Sequence, residues 1–146
     1  MAHRSAIGLH LVLRQQGLVL LGLRRNTSYA NGWWHLPAGH LERGESVTAG
    51  MAREAKEELG ITISEEALQL VHVLHDLDAD DHAGRFQLFF TADSYVGEVT
   101  NCEPQKCEEL RWWPLNALPE PTVAYAGTAL AAIEAGQALA VHGFPA

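Results

Sequence analysis

The residues best suited to chemistry are crowded into positions 39–61, GHLERGESVTAGMAREAKEELGI, where Glu54, Glu57 and Glu58 directly follow Arg53. At about 100° of rotation per residue in a helix, Glu57 and Glu58 lie roughly 60° and 40° to either side of Glu54, so three carboxylates share one face. Ionised carboxylates about 4 Å apart repel by about 4 kcal/mol at an effective dielectric of roughly 20, a cost that a cation between them removes. Hard divalent ions prefer oxygen ligands, and Mg²⁺ keeps several waters. One or two carboxylates per ion plus substrate phosphate oxygens would therefore complete its octahedral site. The expected cofactor is Mg²⁺, with Mn²⁺ able to substitute. Thr48, Ala52, Ala55 and Leu59 fall about 100° to 160° from Glu54 and supply a packing side, which aims the acids outward. An isolated acidic helix is ordinarily just a solvated face. Gly39, Glu45 and Arg53 have no part in such a face, whereas a loop-and-helix metal site uses all three.

In order and spacing these residues resemble the box of the Nudix family: Gly, five residues, Glu, seven residues, then Arg-Glu-apolar-any-Glu-Glu-any-Gly-apolar. Gly39, Glu45, Arg53, Glu54, Glu57, Glu58 and Gly60 fill the fixed places, and Ala55 and Ile61 the apolar ones. At residue frequencies of roughly 6 to 7%, a chance match is on the order of 10⁻⁸ to 10⁻⁹ per window. The resemblance implies an α/β/α sandwich with a mixed β-sheet between helices. It also implies a metal site in which the Gly39 carbonyl joins Glu54, Glu57 and Glu58, with Arg53 orienting the carboxylates by ion pairing. Glu45 would anchor the loop through Arg53 or assist at the metal. Glu103, in the loop Asn101-Cys102-Glu103-Pro104, stands where some relatives carry a late carboxylate acting as base or ligand. Glu98 and Glu108 are its rivals, and an ordinary surface acid is the alternative. Many relatives have a second glycine where this chain has Ala38, which constrains the backbone slightly.

The reaction this implies is in-line attack of water on one phosphorus of a diphosphate linkage in a nucleoside diphosphate derivative. The metals would neutralise phosphate and acidify the water, and Glu57 or Glu103 would take the proton. A nucleoside triphosphate giving monophosphate and pyrophosphate is the expected small-molecule substrate. Nucleoside diphosphate sugars, dinucleoside polyphosphates and capped RNA ends stay open, as does a different class altogether: a catalytically silent nucleotide sensor or interaction module on the same fold. Trp33, Trp34, Trp112 and Trp113 could stack on a base. Alternation along a strand places Trp112 and Trp113 on opposite faces, so no more than one of them should line a cleft. Selectivity is expected from loops 26–32, 78–85 and 114–125.

These residues need elements to position them. Residues 6–13 and 18–24 read as a hairpin turning at Gln16 and Gly17, and 33–36 as a short strand stopped by Pro37 and Gly39. Ser46 is placed to cap a helix over Val47–Leu59, which Gly60 would end in a left-handed conformation. Residues 68–77 and 85–95 read as antiparallel strands around an Asp-rich turn of Asp78, Asp80, Asp81 and Gly84. A strand at 109–113 and a helix at 123–135, with Ala126, Leu130 and Ile133 on one face and Gly136 at its end, complete a layered α/β domain.

A chain of 146 residues, 47% hydrophobic and 19% charged, fits one domain over positions 1–146. Its net charge of −8 disfavours a nucleic-acid backbone as partner and demands a cation wherever phosphate binds. No apolar run is long enough for a bilayer and no secretion signal is evident, so a cytoplasmic setting is expected. Cys102 and Cys107 are too few for a disulfide framework and lack the second ligand pair that zinc requires. The eight histidines are scattered, with core or surface roles expected for His35, His40, His72, His75 and His82. A homodimer through the N-terminal strands stays open.

Overall fold

The computed structural model describes residues 2–77 and 83–145. The expected turn residues Asp78, Asp80 and Asp81 lie outside the described residues, as does His82. In chain order the elements are β1 (Ala6–Leu11), β2 (Arg14–Gln15), β3 (Leu18–Arg24), β4 (Trp34–His35), β5 (Ala38–His40), α1 (Val47–Leu59), β6 (Leu68–Leu77), β7 (Gly84–Ala92), β8 (Cys107–Pro114), α2 (Ala124–Glu134) and β9 (Leu139–His142).

The strands form two hydrogen-bonded groups. One runs β5-β1-β7-β6-β9 and mixes parallel pairs, β1 with β7 and β6 with β9, with antiparallel pairs, β1 with β5 and β6 with β7. In the other, β8 lies along the whole of β3, so β2 and β4 share the opposite edge of β3 at its two ends. The expected hairpin therefore needs correction. Its turn is right, since Gln16 and Gly17 both take positive φ (51° and 77°), the geometry of a tight two-residue turn. Only β2 pairs with β3 across that turn, while β1 belongs to the five-stranded sheet, and the chain passes between sheets at Val12 and Leu13. The residues after Pro37 also remain extended as β5, antiparallel to β1, and Gly84 is the first rung of β7 opposite Leu77 rather than part of the turn.

Alternation of side chains divides the interior into two cores. Leu9, Leu11, Leu20 and Phe90 pack with Met51, Ala55 and Leu59 of α1. Val19, Leu21, Leu74 and Phe89 pack with Ala126, Ala129 and Leu130 of α2. Trp112 joins the first core and Trp113 the second, on opposite faces of β8. The result is an α/β/α sandwich with mixed strands between helices. Among the described residues no helix is long and apolar enough to cross a membrane.

Helix α1 has the expected bounds because both ends are specified chemically. The Ser46 hydroxyl accepts from the Ala49 N–H at 3.1 Å, and Gly60 closes the helix at φ 71° with its N–H donating to the Lys56 carbonyl. Its buried face is Gly50, Met51, Ala55 and Leu59, which differs from the Thr48/Ala52 side that rotation alone suggested. Ser46→Ala removes the cap without touching the core. Urea denaturation should show a loss of about 1 kcal/mol, and an unchanged midpoint would mean that this bond contributes nothing to holding α1.

Candidate active site

The rotation of α1 onto Met51 and Gly50 turns Glu54 and Glu58 toward the β5 backbone instead of outward. The side chain of Glu54 is 13% exposed and that of Glu57 55%, so only Glu57 meets the outward expectation. Glu54 lies directly on Gly39. A Cβ at Gly39 would overlap its carboxylate, which is the physical reason for glycine there. Glu58 accepts from the Ala38 N–H at 3.2 Å through Oε2.

Arg53 holds these acids in register. Its Nε and Nη2 donate to the two oxygens of Glu45 at 3.0 and 2.7 Å, a bidentate pair. Nη1 donates to Glu54 at 2.7 Å and to Glu57 at 3.2 Å, and Nη2 also reaches the His40 carbonyl at 3.1 Å. The Arg53 hydrogen bonds, helped by the Glu42 N–H, hold the Glu45 carboxyl down at about 2, and Glu45 in turn raises Arg53. Glu45 is thus placed to anchor the loop, sharing Arg53 with the acids of the helix.

Glu58 is in the opposite condition. Burial first, then the charges of Glu54 and Glu103, push it up to about 8. Burial likewise raises Glu54, against the opposing pull of Arg53. Glu103 comes from the loop before β8, where its N–H donates to Asn101 Oδ1 at 3.1 Å and its carbonyl accepts from the N–H groups of Lys106 and Cys107. It lines the same cleft as Glu54, Glu57 and Glu58, and its charge is felt by Glu54 and Glu58. Glu98 and Glu108 are not among the lining residues.

The cleft has a volume of about 1000 Å³ and runs from these carboxylates over residues 37–39 to β1, β7 and the start of α2. Arg24, Arg85 and Lys106 bring positive charge to its walls. The donor set suits a hard cation: four carboxylates, with Glu58 buried among like charges. The nearby Cys107 thiol is raised by burial and stays neutral, which makes it a poor partner for a soft metal. Among the described residues no three acidic, histidine or cysteine side chains are drawn into one tight cluster, and Arg53 takes up an oxygen each of Glu54 and Glu57.

None of the four tryptophans lines the cleft. Tyr29 and Tyr125 line it from two of the loops expected to set selectivity, whereas His10, His35, Gln87 and Asp76 line it from outside every expected site residue and loop. Gly8 and His10 of β1, Arg85 and Gln87 of β7, and Asp76 of β6 share one sheet face by register, the same face that farther along buries Phe89 and Leu74 under α2. Polar residues interrupting the alternation of otherwise apolar strands were the available signal. His72, by contrast, is a core histidine whose Nδ1 is 2.8 Å from the Gln137 carbonyl.

A sequence model of the NUDIX domain matches residues 2–132. The chain is 37% identical over 86 residues to the uncharacterized Nudix hydrolase YvcI of Bacillus subtilis, covering 58% of this chain and 53% of that protein. It is 30% identical over 120 residues to the human 8-oxo-dGDP phosphatase NUDT18, covering 80% of this chain and 34% of that one. The chain therefore spans about half or less of the length of these two relatives. Among solved structures, the MutT NUDIX hydrolase from Burkholderia pseudomallei superposes with a TM-score of 0.79 at 29% identity, covering 88% of this chain and 98% of that one. With the box complete, the layers matched and the domain model spanning most of its length, this chain belongs to the Nudix family.

Proposed function

We propose that this chain is a Mg²⁺-dependent pyrophosphohydrolase that cleaves a diphosphate linkage in a nucleoside diphosphate derivative, foremost a nucleoside triphosphate giving monophosphate and pyrophosphate. The observation that carries the reading is the placement of Glu54, Glu57, Glu58 and Glu103 in one cleft that Arg24 and Arg85 also line, with Lys106 beside Glu103 at 3.9 Å. An acidic protein with a net charge of −8 has little reason to line one cleft with four acids unless a cation is to be held against phosphate. The human relative's named action on 8-oxo-dGDP agrees with a nucleotide substrate. Free Cys102 and Cys107 agree with a reducing, cytoplasmic setting.

Glu54, Glu57 and Glu58 would hold the ion with the Gly39 carbonyl, and Mn²⁺ would be accepted in its place. When bound, the ion supplies charge neutralisation and a more acidic water. The chain's own residues do the rest. Arg53 fixes Glu54 and Glu57 through hydrogen bonds of 2.7 and 3.2 Å and ties them through Glu45 to the loop, so the acids need little rearrangement at the moment of reaction. The cationic walls orient the phosphates for in-line attack, in which a water oxygen bonds to phosphorus as the bridging oxygen leaves. Glu57 or Glu103 takes the proton of that water; both line the cleft without the deep burial of Glu58.

Purified protein screened against a panel of phosphoanhydrides, with Mg²⁺ and with Mn²⁺ and with products identified by mass, should release monophosphate and pyrophosphate from nucleoside triphosphates. Glu57→Gln and Glu58→Gln should each lower kcat about 100-fold or more. Unchanged turnover in both at saturating Mg²⁺ would overturn the assignment, and silence of the wild-type protein across the panel would favour a nucleotide sensor.

A second test concerns Glu58 in chelator. A carboxyl raised from its ordinary value of 4.5 to about 8 keeps its proton in the folded state while the unfolded chain has lost it. Between pH about 4.5 and 8 the folded state therefore binds more protons, and stability falls as pH rises through that window. The chelated protein should lose denaturant resistance across it, and Glu58→Gln should flatten the decline. A decline of equal slope in the variant would remove Glu58 as its source. Glu45, held down at about 2, adds the opposite trend, stabilising above about 4.5 and losing that contribution as pH falls toward 2.

A further inference from the structure

The loop that carries Glu103 is held from two sides. On the side of α1, the Thr100 N–H donates to the Leu59 carbonyl at 2.9 Å and the Cys102 N–H to the Glu58 carbonyl at 3.0 Å. These carbonyls belong to the last helical turn, which a helix leaves without internal partners, so the loop completes α1 as it approaches the acids. On the side of β3, two residues grip three successive carbonyls. Pro104 accepts from Arg25 Nε at 2.8 Å and also from Arg25 Nη2, Gln105 accepts from Asn26 Nδ2 at 3.1 Å, and Lys106 accepts from the Arg25 N–H at 2.9 Å. Asn101 closes the loop from within. Its Nδ2 donates to the Cys107 carbonyl at 2.7 Å and its Oδ1 accepts from the Glu103 N–H at 3.1 Å.

Two features set these bonds apart from ordinary loop packing. First, Arg25 does not line the cleft, unlike its neighbours Arg24 and Asn26, so it acts on the site only through the chain it holds. Its guanidinium is committed to the carbonyl of Pro104, the residue next to Glu103, and a planar fork closed on one oxygen fixes direction as well as distance. Second, the carboxylate so placed has little side-chain support of its own. Glu57 is bonded by Arg53 at 3.2 Å, whereas Glu103 pairs with Lys106 at 3.9 Å, and that lysine side chain is 62% exposed. A carboxylate without a clamp takes its aim from its backbone, and a misplacement of about 1 Å at a reacting group costs on the order of 100-fold in rate.

We propose that Arg25 and Asn101 are positioning residues for the reaction, aiming Glu103 at the attacking water by holding its loop against the chain just past β3. Arg25 holds the far side of the loop, and Asn101 sets the turn from which Glu103 projects. This rests on the proposed function, and within it on Glu103 rather than Glu57 taking the proton of the water. The α1 side of the loop is held by backbone N–H groups, so removing either side chain leaves the loop attached to the helix. Asn101 lines the cleft and Arg25 does not, which makes Arg25 the cleaner probe.

The experiment is a double-mutant cycle on nucleoside triphosphate hydrolysis at saturating Mg²⁺, joined to amide hydrogen exchange of the whole chain. Arg25→Ala should lower kcat about tenfold or more while KM stays within about twofold, and Arg25→Lys, which keeps a donor, should recover part of the loss. In a Glu103→Gln background the further loss from Arg25→Ala should vanish, because the group being aimed is gone. Asn101→Ala should follow the same pattern. Exchange should quicken at the Lys106 and Cys107 amides in Arg25→Ala and stay slow at Thr100 and Cys102, whose bonds run to α1. An unchanged kcat in Arg25→Ala, or an equal loss with and without Glu103, would overturn the proposal. Full turnover in Glu103→Gln alone would also overturn it and leave the pyrophosphohydrolase reading standing. If the wild-type protein hydrolyses no nucleotide, the proposed function falls and exchange decides: quickening confined to Lys106 and Cys107 supports Arg25 as the holder of the Glu103 loop, and a uniform change or none overturns it.

Discussion

Arg53 is the constraint from which the rest of the site follows. Four glutamates, Glu45, Glu54, Glu57 and the more distant Glu42, converge on one guanidinium. A lysine could neutralise one of them but could not fan its donors over three elements, whereas the planar guanidinium binds both oxygens of Glu45 and still spans Glu54, Glu57 and the His40 carbonyl. By joining the loop before α1, the helix itself and the end of β5, Arg53 makes the position of the acids a property of the tertiary structure. The spacing of the box then has a plain meaning. Glu45 must lie one loop before the helix and Arg53 two turns inside it for the bidentate pair to close.

That hub also explains why the acids differ from one another. Glu45, satisfied by Arg53, is a permanent anion and a structural one. Glu58 is not among the acids that Arg53 bonds, and the Ala38 N–H is the one donor it meets among the described residues, so burial among like charges leaves it far from its ordinary ionisation. Glu54 stands between, paired on one side and desolvated on the other. A graded series shared by one helix and the loop before it suits a site whose charge is completed from outside, because the anchoring member Glu45 stays fixed while Glu54 and Glu58 respond to what binds.

Helix α1 was legible in the sequence to the residue, since Ser46, Gly60 and the box are local signals that no long-range contact has to supply. The pair β6 and β7 was legible for a similar reason, through runs of strand-forming side chains flanking a turn. The path of β1 was not. Its apolar run reads equally well as a hairpin arm or as a buried strand, and the choice is made by pairing with β7, some 80 residues later in the chain. Strand β9 escaped notice because its four residues are short and carry little pattern. Angles counted from Glu54 alone do not fix the rotation of α1 about its axis. Met51 is the larger apolar side chain, and its burial with Gly50 against Leu9 and the neighbouring strands decides which flank of the helix turns inward.

The histidines show the same limit in the functional part of the molecule. Scattered along the chain, His10 and His35 gave no motif, because what unites them is sheet geometry. β1 and β4 belong to different sheets, and the junction at residues 36–38 brings the two rings within stacking distance. The same junction carries Ala38 and Gly39 to the acids of α1. The stretch at residues 35–39 therefore serves both ends of the cleft: the Ala38 amide and Gly39 face the acids of α1, and His35 lines the other end. A shift of this segment would disturb both at once, which is why its anchoring by β1 on one side and β3 on the other matters more to the site than its length suggests.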